Sequence, residues 1–135
     1  MSIDVFLSQN PKYKLVFTKG EQADFMFIDL GYEMSSRLFD QPSPSVAATS
    51  TFESVVAKGM QTHPRYGKYL AMKNIGILFE PALKLNVRML FESISHDTLL
   101  VVCSDGVIQN ETFHFDDSTE DLNVDLSGLS FFVIE

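Results

Sequence analysis

Two short stretches of the chain carry side chains of the kind that act at the ends of buried strands. The first, from Phe17 to Glu21 (FTKGE), is the nearest fragment to a phosphate-binding loop. Such a loop needs a glycine-rich backbone, a lysine, and a serine or threonine on magnesium. This fragment has one glycine and places a carboxylate where phosphate would sit. Neither G-x-x-x-x-G-K-[ST] nor G-x-G-x-x-G occurs in the sequence, so these two common phosphate sites are not predicted.

The second stretch runs from Cys103 to Gly106 (CSDG) and follows four apolar residues. A cysteine beside a histidine and an acid can be nucleophilic, but the apolar setting favours an inert buried thiol here. A turn that ends a strand is favoured for Ser104, Asp105 and Gly106. A metal site would need at least two of the three scattered histidines to converge. We therefore predict no catalytic, cofactor-binding or metal residues. The three histidines are His63, His96 and His114.

The segment from Tyr69 to Gly106 predicts the elements that position these stretches. A strand is expected from Tyr69 to Phe79, because Ile75–Phe79 is almost continuously apolar. A helix of roughly four turns starts near Pro81, and Leu99–Cys103 forms a second buried strand. Two such strands joined by a helix form a βαβ unit with a parallel pair. The apolar stripe of the helix consists of Leu83, Val87, Leu90, Phe91 and Ile94.

The fold prediction for residues 1–135 is a single α/β domain, with a sheet built on this parallel βαβ core. Helices cover the faces of the sheet, and a β-hairpin region follows Gly106. For Ile3–Leu7 the sequence fits either a strand or a helix. Thr62–Lys68 is expected to be a loop. Expected strands are Lys14–Thr18, Ala23–Leu30, Glu111–Phe115 and Leu129–Ile134. The first two are expected to pair as an antiparallel hairpin, because few residues separate them. Expected helices are Gly31–Phe39, for which Asp29 is the expected cap, and Thr49–Met60, with a capping box of Ser50 and Glu53.

Composition points to a globular cytoplasmic protein. One cysteine in 135 residues excludes a disulfide within the chain and suits a reducing compartment. No apolar run is long enough for a membrane span, and the N-terminus lacks the basic region of a secretory signal. We therefore expect no contact with a membrane. The net charge of −8 argues against direct binding of nucleic acid. The sequence is compatible with either a monomer or a homo-oligomer.

The negative charge is concentrated in the last third of the chain. Residues 1–91 hold all ten lysines and arginines and eight acids, while residues 92–135 hold ten acids and no lysine or arginine. Two interpretations are open: a solvated acidic end that aids solubility, or a docking face that attracts a basic partner. Four acids crowded between two predicted strands are the candidate partner-binding residues, namely Asp116, Asp117, Glu120 and Asp121.

A set of aromatic residues offers a second partner-binding hypothesis. Tyr32, Phe39, Tyr66 and Tyr69 fall in or beside predicted loops, with Arg37 and Arg65 nearby in the sequence. Exposed aromatic and arginine side chains are enriched at protein interfaces. The alternative is that these side chains belong to the core or lie half-buried.

Two further stretches carry a resemblance to a known family. They run from Asp29 to Leu38 (DLGYEMSSRL) and from Asn74 to Asn86 (NIGILFEPALKLN). They resemble the small P-loop protein of BREX phage-exclusion systems, the BrxF family. The match covers about residues 28–115, and Asn-Ile-x-x-Leu-Phe-acid-Pro-x-Leu-Lys-Leu is its most specific part. The resemblance implies a P-loop or RecA-like scaffold that works in a phage-defence assembly.

This chain departs from the family at the positions that handle nucleotide. The P-loop and its helix are missing before the strand expected at Ala23–Leu30. Lys73 stands where the family has an aspartate, and Gly76 stands where it has a glutamate. An acid at the end of that strand would help to hold magnesium and position water. The resemblance therefore implies a degenerate P-loop relative that has lost ATP.

Three hypotheses follow. The first is a non-catalytic scaffold or interaction protein in a BREX-like multi-protein system, with protein partners that include other defence subunits and with no cofactor. The alternative is a nucleotide-binding protein or NTPase with a divergent phosphate site near Thr18–Glu21 or Ser104–Gly106. The third is an unrelated hydrolase that uses Cys103 or Ser104.

The docking interpretation of the acidic stretch predicts a kinetic signature. The combined change Asp116→Asn, Asp117→Asn, Glu120→Gln and Asp121→Asn should slow association with a basic partner more than it speeds dissociation, because long-range charge acts on encounter. The wild-type on-rate should also fall as salt shortens the Debye length to about 8 Å. Stopped-flow binding of a partner recovered from the host at low salt measures both rates. Unchanged rates would leave the stretch as a solvated turn.

Overall fold

The computed structural model describes residues 2–115 and 122–134. Its main feature is a six-stranded sheet in which five strands run parallel. The strands are β1 (Leu15–Thr18), β2 (Phe27–Asp29), β3 (Gln61–His63), β4 (Gly67–Lys73), β5 (Leu99–Cys103), β6 (Val107–Gln109), β7 (Thr112–His114), β8 (Asn123–Asp125) and β9 (Phe131–Ile134). The α-helices are α1 (Ile3–Ser8), α2 (Leu30–Leu38), α3 (Pro44–Gly59) and α4 (Val87–Asp97).

The parallel strands lie in the order β2-β4-β5-β1-β9. Leu99 of β5 lies opposite Tyr69 of β4, and Leu100 lies opposite Leu15 of β1. The helix between β4 and β5 is α4, so the predicted βαβ unit is confirmed. β5 sits at the centre, and its first four residues are buried because sheet faces are covered on both sides. The predicted α/β class is therefore correct.

The predicted strand from Tyr69 to Phe79 is correct only as far as Lys73. Asn74 takes a left-handed backbone conformation, with φ of +54°, which turns the chain out of the sheet. Ile75–Phe79 then forms a 3-10 helix, in which Ile75 and Leu78 are buried. Side chains three residues apart share one face of a 3-10 helix, so this apolar run is buried without pairing as a strand.

The helix of the βαβ unit begins later than predicted. Pro81–Leu83 forms a second 3-10 turn, and α4 starts at Val87. Its N-cap is Asn86, whose side-chain oxygen accepts a hydrogen bond from the Met89 N–H at 3.1 Å. Pro81 starts a helical turn, as predicted, but Lys84 interrupts it with a φ of +54°.

The predicted antiparallel hairpin of β1 and β2 is wrong. β2 pairs in parallel with β4 on the far side of β5, with Phe27 opposite Ala71. The connection of residues 19–26 contains bends and turns but no helix. Eight extended residues reach about 27 Å. β1 and β2 are three positions apart in the sheet, which is a distance of only about 14 Å. A crossover between parallel strands therefore fits in a length that usually indicates a hairpin.

Other boundaries also differ from the sequence prediction. The strand expected at Ala23–Leu30 covers only Phe27–Asp29. Helix α3 starts at Pro44 and not at Thr49, so Ser50 and Glu53 lie inside it and form no capping box; proline is favourable in the first turn. The stretch predicted as a loop at Thr62–Lys68 contains an antiparallel hairpin of β3 and β4. The open choice at the N-terminus is settled as a helix, α1, capped by Ser2.

Each face of the main sheet carries its own hydrophobic core. On the first face, α2, α3 and α4 pack over the sheet, and Phe17 contacts both Phe91 and Phe113. On the second face, the core is smaller and includes Phe6 of α1 and Phe25 of the crossover. A helix of six residues and one crossover therefore cover the second face, whereas three helices cover the first.

The region after Gly106 forms the predicted hairpin and more. β6, β7 and β8 make an antiparallel sheet, in which Phe113 of β7 lies opposite Val124 of β8. Both side chains are buried in the core of the first face. The last strand, β9, leaves this small sheet and pairs in parallel with β1.

A search of the described ranges, 2–115 and 122–134, finds no helix with the length and apolar character that a membrane span requires.

The buried face of α4 predicts a large loss of stability when it is truncated. Phe91 is fully buried, and its ring lies 6.1 Å from that of Phe17. We expect Phe91→Ala to lower the free energy of unfolding by about 3–5 kcal/mol. The control Met89→Ala, on the exposed side of the same helix, should change it by less than about 0.5 kcal/mol. Urea denaturation measures both values, and equal losses in the two variants would contradict this packing.

Candidate functional site

The carboxyl ends of β1, β2, β4 and β5 meet at one edge of the sheet. Parallel α/β sheets place their ligands outside this edge. The residues that end these strands are Thr18, Asp29, Lys73 and Cys103. The two stretches singled out in the sequence, Phe17–Glu21 and Cys103–Gly106, both begin here, so the fold brings them together.

An ion pair joins the segment after β1 to the end of β4. The Lys73 ammonium nitrogen lies 3.3 Å and 3.4 Å from the two carboxylate oxygens of Glu21. Both side chains are partly exposed, at 37% for Lys73 and 54% for Glu21. A pair in such contact with water contributes at most about 1 kcal/mol to stability. Its importance lies in its position, because the chain's own charges occupy this edge of the sheet.

The turn after β1 is held by hydrogen bonds within itself. The buried Thr18 hydroxyl donates to the Gly20 carbonyl at 2.8 Å and accepts from the Gln22 amide at 3.1 Å. The Thr18 carbonyl accepts from the Ser104 N–H at 2.9 Å. The turn is therefore fixed against the end of β5.

A second network links β2, α2 and the end of β4. Asp29 caps α2, as predicted, and its carboxylate accepts from the Tyr32 N–H at 2.9 Å and from the Asn74 side-chain amide at 2.8 Å. The Asn74 carbonyl accepts from the Gly31 N–H at 3.0 Å. A Cβ on Gly31 would lie 2.5 Å from the Asn74 side-chain nitrogen, so only glycine fits between them.

The charge state of Asp29 follows from these contacts. The Tyr32 N–H is the largest influence, followed by the Asn74 amide and the more distant Lys73 charge, and together they hold the pKa of Asp29 below its ordinary value of 3.8. Partial burial opposes this shift. The carboxylate therefore stays ionised at neutral pH and acts as a helix cap.

Cys103 is half-buried, not buried as predicted, because it is the last residue of β5. Its sulfur lies 3.7 Å from the Lys19 carbonyl. Burial, and to a lesser degree the charges of Glu21 and Asp105, raise the pKa of the Cys103 thiol. A protonated thiol is a poor nucleophile, so this environment favours the inert-thiol interpretation despite the partial exposure.

The three histidines do not converge. His63 stacks on Tyr66 with ring centroids 4.6 Å apart, His96 lies at the end of α4 beside Asp97, and His114 is in β7. Among the described residues, no group of three His, Cys, Asp or Glu side chains is arranged to hold a metal ion.

Two adjoining cavities open along this edge of the sheet. The larger, of about 560 Å³, lies between the ends of β1, β5 and β9 and the β6–β7 hairpin. Its walls are mostly apolar, and Thr18, Lys19 and Ser104 supply its polar groups. The smaller, of about 320 Å³, lies beside Lys73, Cys103 and Asp105. Sequence reasoning missed the larger cavity, since strands distant in the chain form it.

The predicted aromatic patch is divided by the fold. Tyr69 is buried, and its hydroxyl accepts a hydrogen bond from the Met26 N–H at 3.0 Å. Tyr66 is half-buried against Phe25, while Tyr32 and Phe39 are exposed, the latter at 87%. Tyr32 of α2 and Phe39, the C-cap of that helix, are seven residues apart, so they lie on one helix face.

A third exposed apolar side chain, which the sequence did not indicate, lies on the neighbouring helix α3. Val46, near the start of α3, is 81% exposed, and α3 packs directly on α2. We call Tyr32, Phe39 and Val46 the α2–α3 apolar surface. The other predicted partner-binding residues, Asp116, Asp117, Glu120 and Asp121, lie outside the described residues.

No protein-family model, no curated protein and no solved structure matches this chain. The resemblance to the BrxF family therefore stays a prediction from sequence.

The Asp29 network predicts a pH dependence of stability. Because its pKa is lower in the folded than in the unfolded state, the stabilisation is present above the unfolded value near 3.8 and is lost as the pH falls through the lower folded value. Asp29→Asn should reduce this acid-dependent loss. In Asn74→Gly the positive φ is kept, because glycine tolerates it, but the side-chain amide that donates to Asp29 is lost. The pKa of Asp29 should therefore rise.

Carboxyl-carbon NMR titration measures the pKa of Asp29, and urea melts at several pH values measure the stability. Asp40→Asn is the control, because Asp40 makes no hydrogen bond or ion pair within the described part of the chain. An Asp29 pKa at or above 3.8 in the wild type would contradict the network.

Proposed function

We propose that this protein is a non-catalytic interaction module, a degenerate P-loop relative that acts in a phage-defence system of the BREX type. The Glu21–Lys73 ion pair is the observation that carries the proposal. In a P-loop protein, the segment after the first strand offers backbone N–H groups to phosphate. Here that segment presents the Glu21 carboxylate, which repels phosphate, and Lys73 neutralises it.

The architecture of the sheet supports a P-loop relationship. Counted in chain order, the five parallel strands lie in the order 2-3-4-1-5, which is consistent with a RecA-like P-loop scaffold. The crossover after β1 lacks the helix whose N-terminus would bind phosphate. On this proposal the scaffold is retained, while the phosphate-binding segment after β1 and the helix that would follow it are replaced.

The surface of the helices supports an interaction role. Large apolar side chains at 60%, 87% and 81% exposure make up the α2–α3 apolar surface. α2 and α3 pack against each other, and an exposed apolar patch on such a pair of helices favours contact with another protein. The assignment to phage defence rests on the sequence resemblance, and loss of phage protection on deleting the gene from its host tests it.

The alternative is a nucleotide-binding protein or NTPase with a divergent phosphate site. One observation favours it: the cavity of about 560 Å³ lies between Thr18–Lys19 and Ser104–Gly106, at the carboxyl ends of parallel strands. Lys19 supplies a cation there, and Ser104 supplies a hydroxyl. The size of the cavity lies in the range of small-molecule sites.

Thermal unfolding with ATP or GTP and magnesium separates the two functions. The interaction module should show no saturable rise in melting temperature, because a ligand stabilises only a protein that binds it. A saturable rise that Lys19→Gln abolishes would overturn the proposal in favour of the alternative. Met89→Gln, on the exposed side of α4, controls for general effects of substitution.

Restoring the acids of the family should not restore catalysis. We expect Lys73→Asp combined with Gly76→Glu to show no magnesium-dependent ATP hydrolysis, because two carboxylates cannot replace phosphate-binding N–H groups. A Cβ on Gly76 would lie 3.2 Å from the Phe115 ring, so circular dichroism should verify folding. Lys73→Asp alone is the control, and phosphate release above its level would show that a phosphate cradle exists.

A further inference from the structure

Strand β9 forms one edge of the main sheet. It pairs with β1 on one side, and no strand among residues 2–115 and 122–134 lies on its other side. In a parallel strand, alternate residues direct their N–H and C=O groups to opposite sides. Half of the backbone groups of Phe131–Ile134 therefore face outward from the sheet. Such a row is a template for an additional strand.

Edges of sheets are usually protected, and the two edges of this sheet differ in that respect. Charged side chains, proline and short length protect an edge strand. The opposite edge strand, β2, has three residues and ends in Asp29. β9 has four residues, Phe-Phe-Val-Ile, without charge or proline. All four are only partly buried, so the edge of β9 lacks the usual protection.

A cavity flanks β9 on each face of the sheet. On the first face, Val133 and Ile134 line the cavity of about 560 Å³ described above, together with Ile108 of β6. On the second face, Phe132 and Ile134 line another cavity of about 560 Å³, beside Tyr66. α1 closes part of this face, since the rings of Phe6 and Phe132 stack at 5.8 Å.

We propose that the edge of β9 binds an extended, uncharged and alternately apolar segment of a partner protein by strand addition. The inference rests on the proposed interaction function and names a further surface, distinct from the α2–α3 apolar surface, that would serve it. An added strand gains affinity from its main-chain hydrogen bonds and specificity from pockets for alternate side chains. Successive side chains of that strand point to opposite faces, on the same two sides as the cavities that Val133 and Phe132 line.

The charge of the protein favours a partner segment over a second copy of this chain. Each copy carries a net charge of −8, and like charges of this size oppose self-association. The residues of β9 are themselves uncharged, so they do not require a charged partner strand.

The test uses a fluorescein-labelled peptide of ten residues that alternates valine with threonine and carries lysine at both ends. Its matched control has the same sequence with the backbone nitrogens of all valines and threonines methylated, which removes the N–H donors of both strand edges and keeps the charge. We expect the first peptide to bind with a Kd of about 10–100 µM and the control to bind at least about tenfold more weakly. Fluorescence anisotropy measures both constants.

Variants assign the binding to β9. Ile134→Lys should weaken binding of the valine peptide by at least about tenfold, and Ile134→Thr serves if that variant does not fold. Met89→Lys, on the exposed side of α4, should leave it unchanged. In NMR spectra, the peptide should slow amide exchange at alternate residues of β9.

Three results would overturn the proposal. They are equal affinity for the two peptides, no change at the β9 amides with about 1 mM peptide, and a wild-type dimer in sedimentation that Ile134→Lys dissociates. The last result would assign the edge to a second copy. Nucleotide-induced stabilisation would refute the proposed function without altering the peptide result, whereas absent peptide binding would refute the β9 site alone.

Discussion

The structure depends on covering both faces of the central strand β5. Its neighbours β4 and β1 pair with it in parallel, and its residues from Leu99 to Val102 are buried. A parallel sheet requires crossovers, and these crossovers supply the covering layers. Three helices serve the first face. The second face has α1 and Phe25, and the cavity on that side lies next to β9.

The same arrangement concentrates polar groups at one edge of the sheet. Strands that run in parallel bring their ends together, so Glu21, Asp29, Lys73 and Asn74 become neighbours although they are far apart in the chain. They satisfy one another through an ion pair and a capped helix. A site whose charges are already paired is suited to holding structure, and this favours the interaction role over catalysis.

Local sequence signals failed where one residue changed the direction of the chain. Ile75–Phe79 looks like a buried strand by composition, but Asn74 in the left-handed region redirects it into a 3-10 helix. Asparagine adopts that conformation more readily than most residues, which was the available signal. The crossover from β1 to β2 gave no such signal, because hairpins and short crossovers need similar lengths.

The sequence by itself determined the α/β class, the βαβ unit, the cap at Asp29 and the burial of Val87, Leu90 and Phe91 in α4. Each of these is set by hydrophobic periodicity or by contacts a few residues apart. Only the tertiary structure decided which strands are neighbours, that Glu21 pairs with Lys73, and that β9 lies at an edge between two cavities. These depend on the packing of segments distant in the chain, and local patterns do not encode their order in the sheet.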